Sequence, residues 1–382
     1  MKRKVLLLFV CCFLLGFFPK RAEAAALTVA GKSAVLMDAA TGTVIYESNS
    51  HEPLAPASVT KIMTMLLIME SIDSGKIGWD DVVTASETAA AKGGSQIYLK
   101  VGETMSVSDM LKSIAVSSAN DCACAMAEHL AGSEEAFVQQ MNERARELGM
   151  QDTNFVNCTG LDDAPGASEH RTSAHDIALM SRELLKNHPD IKQFTTIWMD
   201  TVRGGAFGLS NTNKLIRFYS GATGLKTGFT SGAGYCLSAS ALRDGMELIA
   251  VVMGAESSQI RFLSCKSLLD HGFANYALVY PDLSEAAPVP VKLGTAPSVF
   301  PMFGAGDGLL VDKSAKSSLV TQIQTEPFLT APVEAGQQIG SLTIRSGDRI
   351  LKEIPLVAAE AVERLRYRDL LVRILGMTAM AA

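Results

Sequence analysis

A chain of 382 residues, 48% of them apolar and 19% charged, is long enough for two or more domains. It is too rich in core-forming side chains to be disordered. The formal net charge of −6 argues against a general nucleic-acid binder, which shows a basic excess or patch.

Residues 1–24 combine a basic start (Lys2, Arg3, Lys4), an apolar run from Val5 to Phe18 and an Ala22-Glu-Ala24 exit. This is the pattern of a secretory signal peptide, with an apolar run too short to span a bilayer comfortably. Cleavage after Ala24 would remove five bases and one acid, leaving 29 bases, 39 acids and a formal charge of −10. The mature protein is therefore expected outside the cytoplasm.

The first mature segment reads as a hairpin: Ser33–Met37, a turn at Ala40-Thr-Gly42, then Thr43–Glu47. Pro56–Ser71 follows as a buried helix with Ile62, Met65, Leu66 and Met69 on its apolar stripe. Helices are predicted over 106–116 and 120–131, meeting at a Ser117-Ser-Ala-Asn120 bend, and again over Phe137–Gly149 and Ala174–Asn187. Strands are predicted over Ala222–Phe229, Tyr235–Ala241 and Glu247–Met253, and a last long helix over 258–276. Helices flanked by strands at both sequence ends imply an α/β sandwich built on an antiparallel sheet, spanning residues 25–280. Residues 281–358 change character. Their short alternating runs, among them Val289–Lys292, Gly340–Ile344 and Arg349–Ile354, predict a small all-β domain. Residues 359–382 mix Val362, Leu365, Leu370, Leu371, Ile374 and Leu375 with Arg364, Arg366, Arg368 and Arg373. That pattern predicts an amphipathic helix, lying on a membrane or packed on its own domain.

Seven cysteines are present, and five remain after the signal: Cys122, Cys124, Cys158, Cys236 and Cys265. Odd in number and irregularly spaced, they read as buried apolar residues rather than a disulfide framework. Cys122 and Cys124 lack a second ligand pair and no H-E-x-x-H occurs, so no metal is expected.

Three short motifs carry chemistry. Ser58-Val-Thr-Lys61 places a hydroxyl and an amine one helical turn apart, on one face. Pro56 suits a helix first turn and sets Ser58 near the positive end of the dipole. A neutral lysine can act as base toward a serine, and burial or neighbouring positive charge is what makes a lysine neutral. Ser118-Ala-Asn120 sits at the interhelical bend, where Ser and Asn also serve as ordinary caps. Lys226-Thr-Gly228 lies in a predicted strand, and its glycine allows close approach of another backbone.

Taken together and in this order, S-x-x-K, S-x-N and K-T-G form the signature shared by penicillin-binding proteins and class A β-lactamases. The wider wording, Leu54-Ala-Pro-Ala-Ser-Val-Thr-Lys61, Ser117-Ser-Ala-Asn-Asp121, Asn154-Phe-Val-Asn-Cys-Thr-Gly-Leu161 and Gly224-Leu-Lys-Thr-Gly-Phe-Thr230, resembles low-molecular-mass penicillin-binding proteins of the serine D-alanyl-D-alanine carboxypeptidase type. The resemblance implies a penicillin-binding-protein/β-lactamase-like fold and a cofactor-free hydrolase of cell-wall stem peptides ending in D-Ala-D-Ala. It also implies covalent binding of β-lactam antibiotics and attachment to the outer face of the cytoplasmic membrane. Ser58 would be the nucleophile and Lys61 its base. Ser118, with Lys226, would relay a proton to the leaving amine. Asn120 would hold Lys61 and the substrate amide, and the backbone N–H groups of Ser58 and Phe229 would form the oxyanion hole beside Gly228. Thr227 and Arg261 would bind the terminal carboxylate, unless Arg261 is merely part of a surface salt bridge. A β-lactamase is disfavoured: Glu183 and Asn187 sit in an amphipathic helical pattern, and such an enzyme has no place for the trailing domain. A D,D-endopeptidase and a penicillin sensor that does not turn over stay open.

Overall fold

The computed structural model describes residue 27 and residues 29–162, 166–303 and 308–368. The expected signal segment, residues 1–24, lies outside them.

Strands β1 (Ser33–Asp38) and β2 (Val44–Ser48) form the expected hairpin. Helix α1 (Lys61–Asp73) is preceded by a 3-10 turn, Ala57–Thr60. Then come α2 (Val107–Ser117), α3 (Asn120–Ala131), α4 (Glu134–Glu147) and α5 (Ala174–Asn187). Strands β3 (Ala222–Thr230), β4 (Gly234–Arg243) and β5 (Met246–Ala255) lead into α6 (Ser258–Asn275). Hydroxyl caps start several helices: Ser106, Ser133, Ser173 and Ser257 each accept a backbone N–H of the first turn. Two small ribbons, Val82–Thr84 with Thr104–Ser106 and Met199–Val202 with Phe207–Ser210, were not foreseen. They are too short to show an alternating pattern in sequence.

The five strands form an antiparallel sheet in the order β2-β1-β5-β4-β3. Alternation divides it into two faces. Val35, Met37, Ile249, Val251 and Met253 face one core with α1 to α5. Ala34, Leu36, Leu248, Ala250 and Val252 face a second, closed by Cys265, Leu268, Leu269 and Phe273 of α6. Each face buries its apolar side chains against helices, the α/β sandwich expected from the element order. The five cysteines are free and buried.

After α6, Tyr276–Val279 pairs with Leu309–Asp312, so the boundary expected near residue 280 falls inside a strand pair. Beyond it lie Val289–Lys292 and a four-stranded antiparallel sheet containing Gln338–Ser346 and Arg349–Ala358. The expected helix over 359–382 does not begin where its pattern does. Val362 is buried and pairs with Val333, Glu363 O accepts from Thr295 N, and Leu365 N donates to Leu293 O. An extended segment satisfies those edge groups. Tyr367 and Arg368 are helical, and 369–382 lies outside the described residues.

Candidate active site

Ser58 sits in the 3-10 turn against the N-terminus of α1. Its Oγ is 2.9 Å from Lys61 Nζ, as the spacing predicts. Lys61 is wholly buried, and its Nζ also donates to Thr159 O at 2.8 Å. Burial lowers its pKa from 10.5 to about 7, although Cys158 and Asp121 pull the other way. The amine is thus poised to be neutral near physiological pH, and only the neutral form can accept the serine proton.

The carbonyl that holds Lys61 belongs to a tight loop shaped by Asn157. Its Oδ1 accepts from Thr159 N, Thr159 Oγ1 and Gly160 N, and its Nδ2 donates to Leu161 O. Gly160 is indispensable there. Its φ is +82, and a Cβ would stand 1.8 Å from Ala57 O.

Ser118 ends α2 in the left-handed conformation, φ 65, and is almost fully buried. Asn120 opens α3; its Nδ2 donates to Gly93 O at 2.7 Å, while its Oδ1 is buried and unpartnered. The structure therefore does not use Asn120 to hold Lys61, as the resemblance implied; Thr159 O does that. Asp121, next in the chain, accepts from Ile97 N and Leu99 N and ties the 93–99 loop over the start of α3.

Lys226, Thr227 and Gly228 lie on β3, the edge strand. Lys226 is completely buried, and burial together with the charges of Lys61 and Arg261 depresses its pKa strongly. Gly228 is where the strand and the Ser58 turn touch: a Cβ there would lie 2.6 Å from Pro56 O and 3.1 Å from Ser58 N. Thr227 Oγ1 donates to Thr212 Oγ1, and Thr212 N donates to Val116 O, linking the strand to the end of α2. Phe229 is exposed and stacks on Tyr235 at 4.3 Å.

Arg261 forms no surface salt bridge. It is buried, and it donates to Gly228 O at 2.9 Å, Cys236 O at 3.3 Å and Ser258 Oγ at 3.4 Å. The guanidinium braces the strand from behind, and its Nε has no partner. Glu183 is held by Arg144 at 2.6 Å and by Asn187 one turn along α5, so it is a helix ion-pair group. The sequence carries no individual signal for Thr159, Asn157, Gly160 and Thr212. Their contributions are a carbonyl, a loop shape, a missing Cβ and a bridging hydroxyl, none of which has a composition signature.

The fold and the sequence match known proteins. The family model described as D-alanyl-D-alanine carboxypeptidase matches residues 20–257, and that for the penicillin-binding protein 5 C-terminal domain matches residues 303–364. The chain is 41% identical to D-alanyl-D-alanine carboxypeptidase DacF of Bacillus subtilis, with 98% of each covered. Penicillin-binding protein 5 of Haemophilus influenzae superposes with a TM-score of 0.74 at 29% identity, over 88% of this chain and 98% of that one. Penicillin-binding protein D2 of Listeria monocytogenes, in an ampicillin-bound form, superposes with a TM-score of 0.59 at 31% identity, covering 65% of this chain and 99% of that one. With this coverage and this constellation of serine, lysine and Lys-Thr-Gly strand, the chain belongs to the serine D-alanyl-D-alanine carboxypeptidase family, among the low-molecular-mass penicillin-binding proteins.

Proposed function

We infer that the protein removes the terminal D-alanine from peptidoglycan stem peptides through an acyl-enzyme on Ser58, and that β-lactams acylate the same hydroxyl. The observation that carries this is the buried Lys61 amine, 2.9 Å from Ser58 Oγ, with a pKa drawn down to about 7. Ser58 attacks the carbonyl between the two D-alanines while Lys61 Nζ takes its proton. Negative charge gathers on the carbonyl oxygen between the backbone N–H groups of Ser58 and Phe229, brought close by the Gly228 contact. Ser118, with Lys226, relays to the leaving amine the proton that Lys61 took from Ser58. The unpartnered Asn120 Oδ1 accepts an amide N–H of the substrate. Thr227 Oγ1 turns its hydrogen from Thr212 to the terminal carboxylate, and Arg261 contributes positive charge from behind the strand. Water then releases the shortened peptide.

The protein works outside the cytoplasmic membrane after loss of residues 1–24, in peptidoglycan biosynthesis and cell shape, and the C-terminal segment within 359–382 holds it to the outer face of the cytoplasmic membrane. No nucleic acid, cofactor or metal enters this reading.

Purified protein is expected to release D-alanine from a peptide ending Lys-D-Ala-D-Ala, and a labelled penicillin is expected to map to Ser58. Fast penicillin hydrolysis without D-alanine release would favour a β-lactamase. Acylation without turnover of any peptide would favour a sensor, and an adduct on another residue would end this reading.

A further inference from the structure

Ala57, directly before Ser58, has φ +48. A non-glycine residue in that region is strained and persists only where its surroundings enforce it. Ala57 O accepts from Thr60 Oγ1 at 2.8 Å. Thr60 Oγ1 in turn lies 2.8 Å from His170 Nε2, and His170 Nδ1 lies 3.0 Å from Val156 N. Both side chains are buried.

The direction of this chain is fixed. A backbone N–H can only donate, so His170 Nδ1 accepts and the proton of the neutral ring sits on Nε2. Nε2–H donates to Thr60 Oγ1, whose own hydrogen goes to Ala57 O. Burial, reinforced by the charge of Lys61, lowers the His170 pKa to about 4, which keeps the ring neutral at working pH. The chain just after the histidine is itself held. Arg171 and Asn154 exchange backbone hydrogen bonds, as do Thr172 and Leu54, and Phe155 packs edge-on to the ring at 5.7 Å.

Ala57 O and Ser58 N–H belong to one peptide group and point in opposite directions when it is trans. Fastening the carbonyl to Thr60, on the side where Gly160 leaves room for it, aims the Ser58 N–H away from the loop. On that other side Gly228 closes on Ser58 N.

We propose that His170 is a positioning residue: acting through Thr60, it sets the Ala57–Ser58 peptide plane and so aims the Ser58 N–H that receives the oxyanion. The proposal rests on the oxyanion-hole reading above and adds a residue that touches neither substrate nor nucleophile.

The test compares T60V, H170N, H170Q and the double variant T60V/H170N. T60V keeps shape and loses the hydroxyl. H170N keeps an acceptor near Val156 N and loses the reach to Thr60, whereas H170Q restores an amide donor at that reach. The readouts are the second-order rate of Ser58 acylation by labelled penicillin, kcat and KM on the D-Ala-D-Ala peptide, and the melting temperature. A misdirected oxyanion donor is expected to slow acylation at least about tenfold, below the roughly 10²–10³-fold cost of deleting such a donor outright. T60V and H170N should show this loss in kcat with KM little changed. The double variant should be no slower than the worse single one, because both break one chain, and H170Q should recover most of the rate. Multiplicative losses in the double variant, an H170Q as slow as H170N, or a T60V that acylates like the parent would each overturn the proposal. Should H170N fail to fold, T60V against T60S decides it, with T60S expected to acylate like the parent. If the parent itself is not acylated at Ser58, the functional reading fails instead.

Discussion

At the scale of single residues, the chemistry depends on the cost of keeping a lysine dry. Moving the Lys61 pKa from 10.5 to about 7 corresponds to about 5 kcal/mol of differential stability between its protonation states. The unfolded chain holds this proton more tightly. Lys61 therefore weakens folding in full below pH 7, and the penalty is relieved as pH rises from about 7 toward 10.5. The same shift predicts a rate profile. Acylation by penicillin should rise tenfold per pH unit below 7 and level off above it, being about thirtyfold slower at pH 5.5 than on the plateau. Stopped-flow measurement over pH 5–9 checks this; a flat profile would show that another group takes the proton. The Ser58–Lys61 spacing was readable in the sequence. The burial that lowers the lysine's pKa was not, because it comes from α3, the Asn157 loop and β3 closing over it.

Among elements, the decisive contact is between the edge strand β3 and the turn before α1. Gly228 has room for no side chain: a Cβ would meet both Pro56 O and Ser58 N. G228A should therefore push the strand from the nucleophile and cut acylation by about 10²-fold or more, in line with loss of an oxyanion donor. Since the strand is at the sheet edge, the melting temperature should move by only a few degrees, equivalent to about 1 kcal/mol. Scanning calorimetry beside penicillin labelling separates the two, and a variant that labels at the parental rate would show that the strand tolerates displacement. The helices were legible because their apolar stripes recur at helical spacing over several turns, and α5 follows its expected bounds, Ala174–Asn187. The Asn157 loop was visible only as family wording. Its function lies in the Thr159 carbonyl, and every residue carries a carbonyl.

For the molecule as a whole, the question is how the trailing region relates to catalysis. Val362 belongs to the apolar core of the all-β domain, together with Val289, Val333 and Ile339. Truncation after Arg368 should thus leave peptide hydrolysis and melting temperature unchanged while abolishing retention on liposomes. Truncation after Ala359 should also lower the melting temperature, because it removes Val362 and the strand-edge bonds of Glu363 and Leu365. Sedimentation with liposomes and thermal melts of the two truncations check this. Unchanged sedimentation after the shorter truncation would remove the tail as an anchor. The sequence pattern here misled at its N-terminal end, since Val362 and Leu365, three apart, suit a helical stripe, yet the domain offered Val333 and Leu293 as backbone partners.

By itself the sequence determined the candidate site residues, their order and the helical and strand periods, because spacing along a chain dictates which neighbours share a face. Only the tertiary structure decided which lysine atom meets which carbonyl, that Arg261 lies behind the strand rather than on the surface, and that a histidine 112 residues after Ser58 steadies the peptide before it. Those outcomes depend on exclusion of water and on contacts between segments far apart in the chain, and local composition encodes neither.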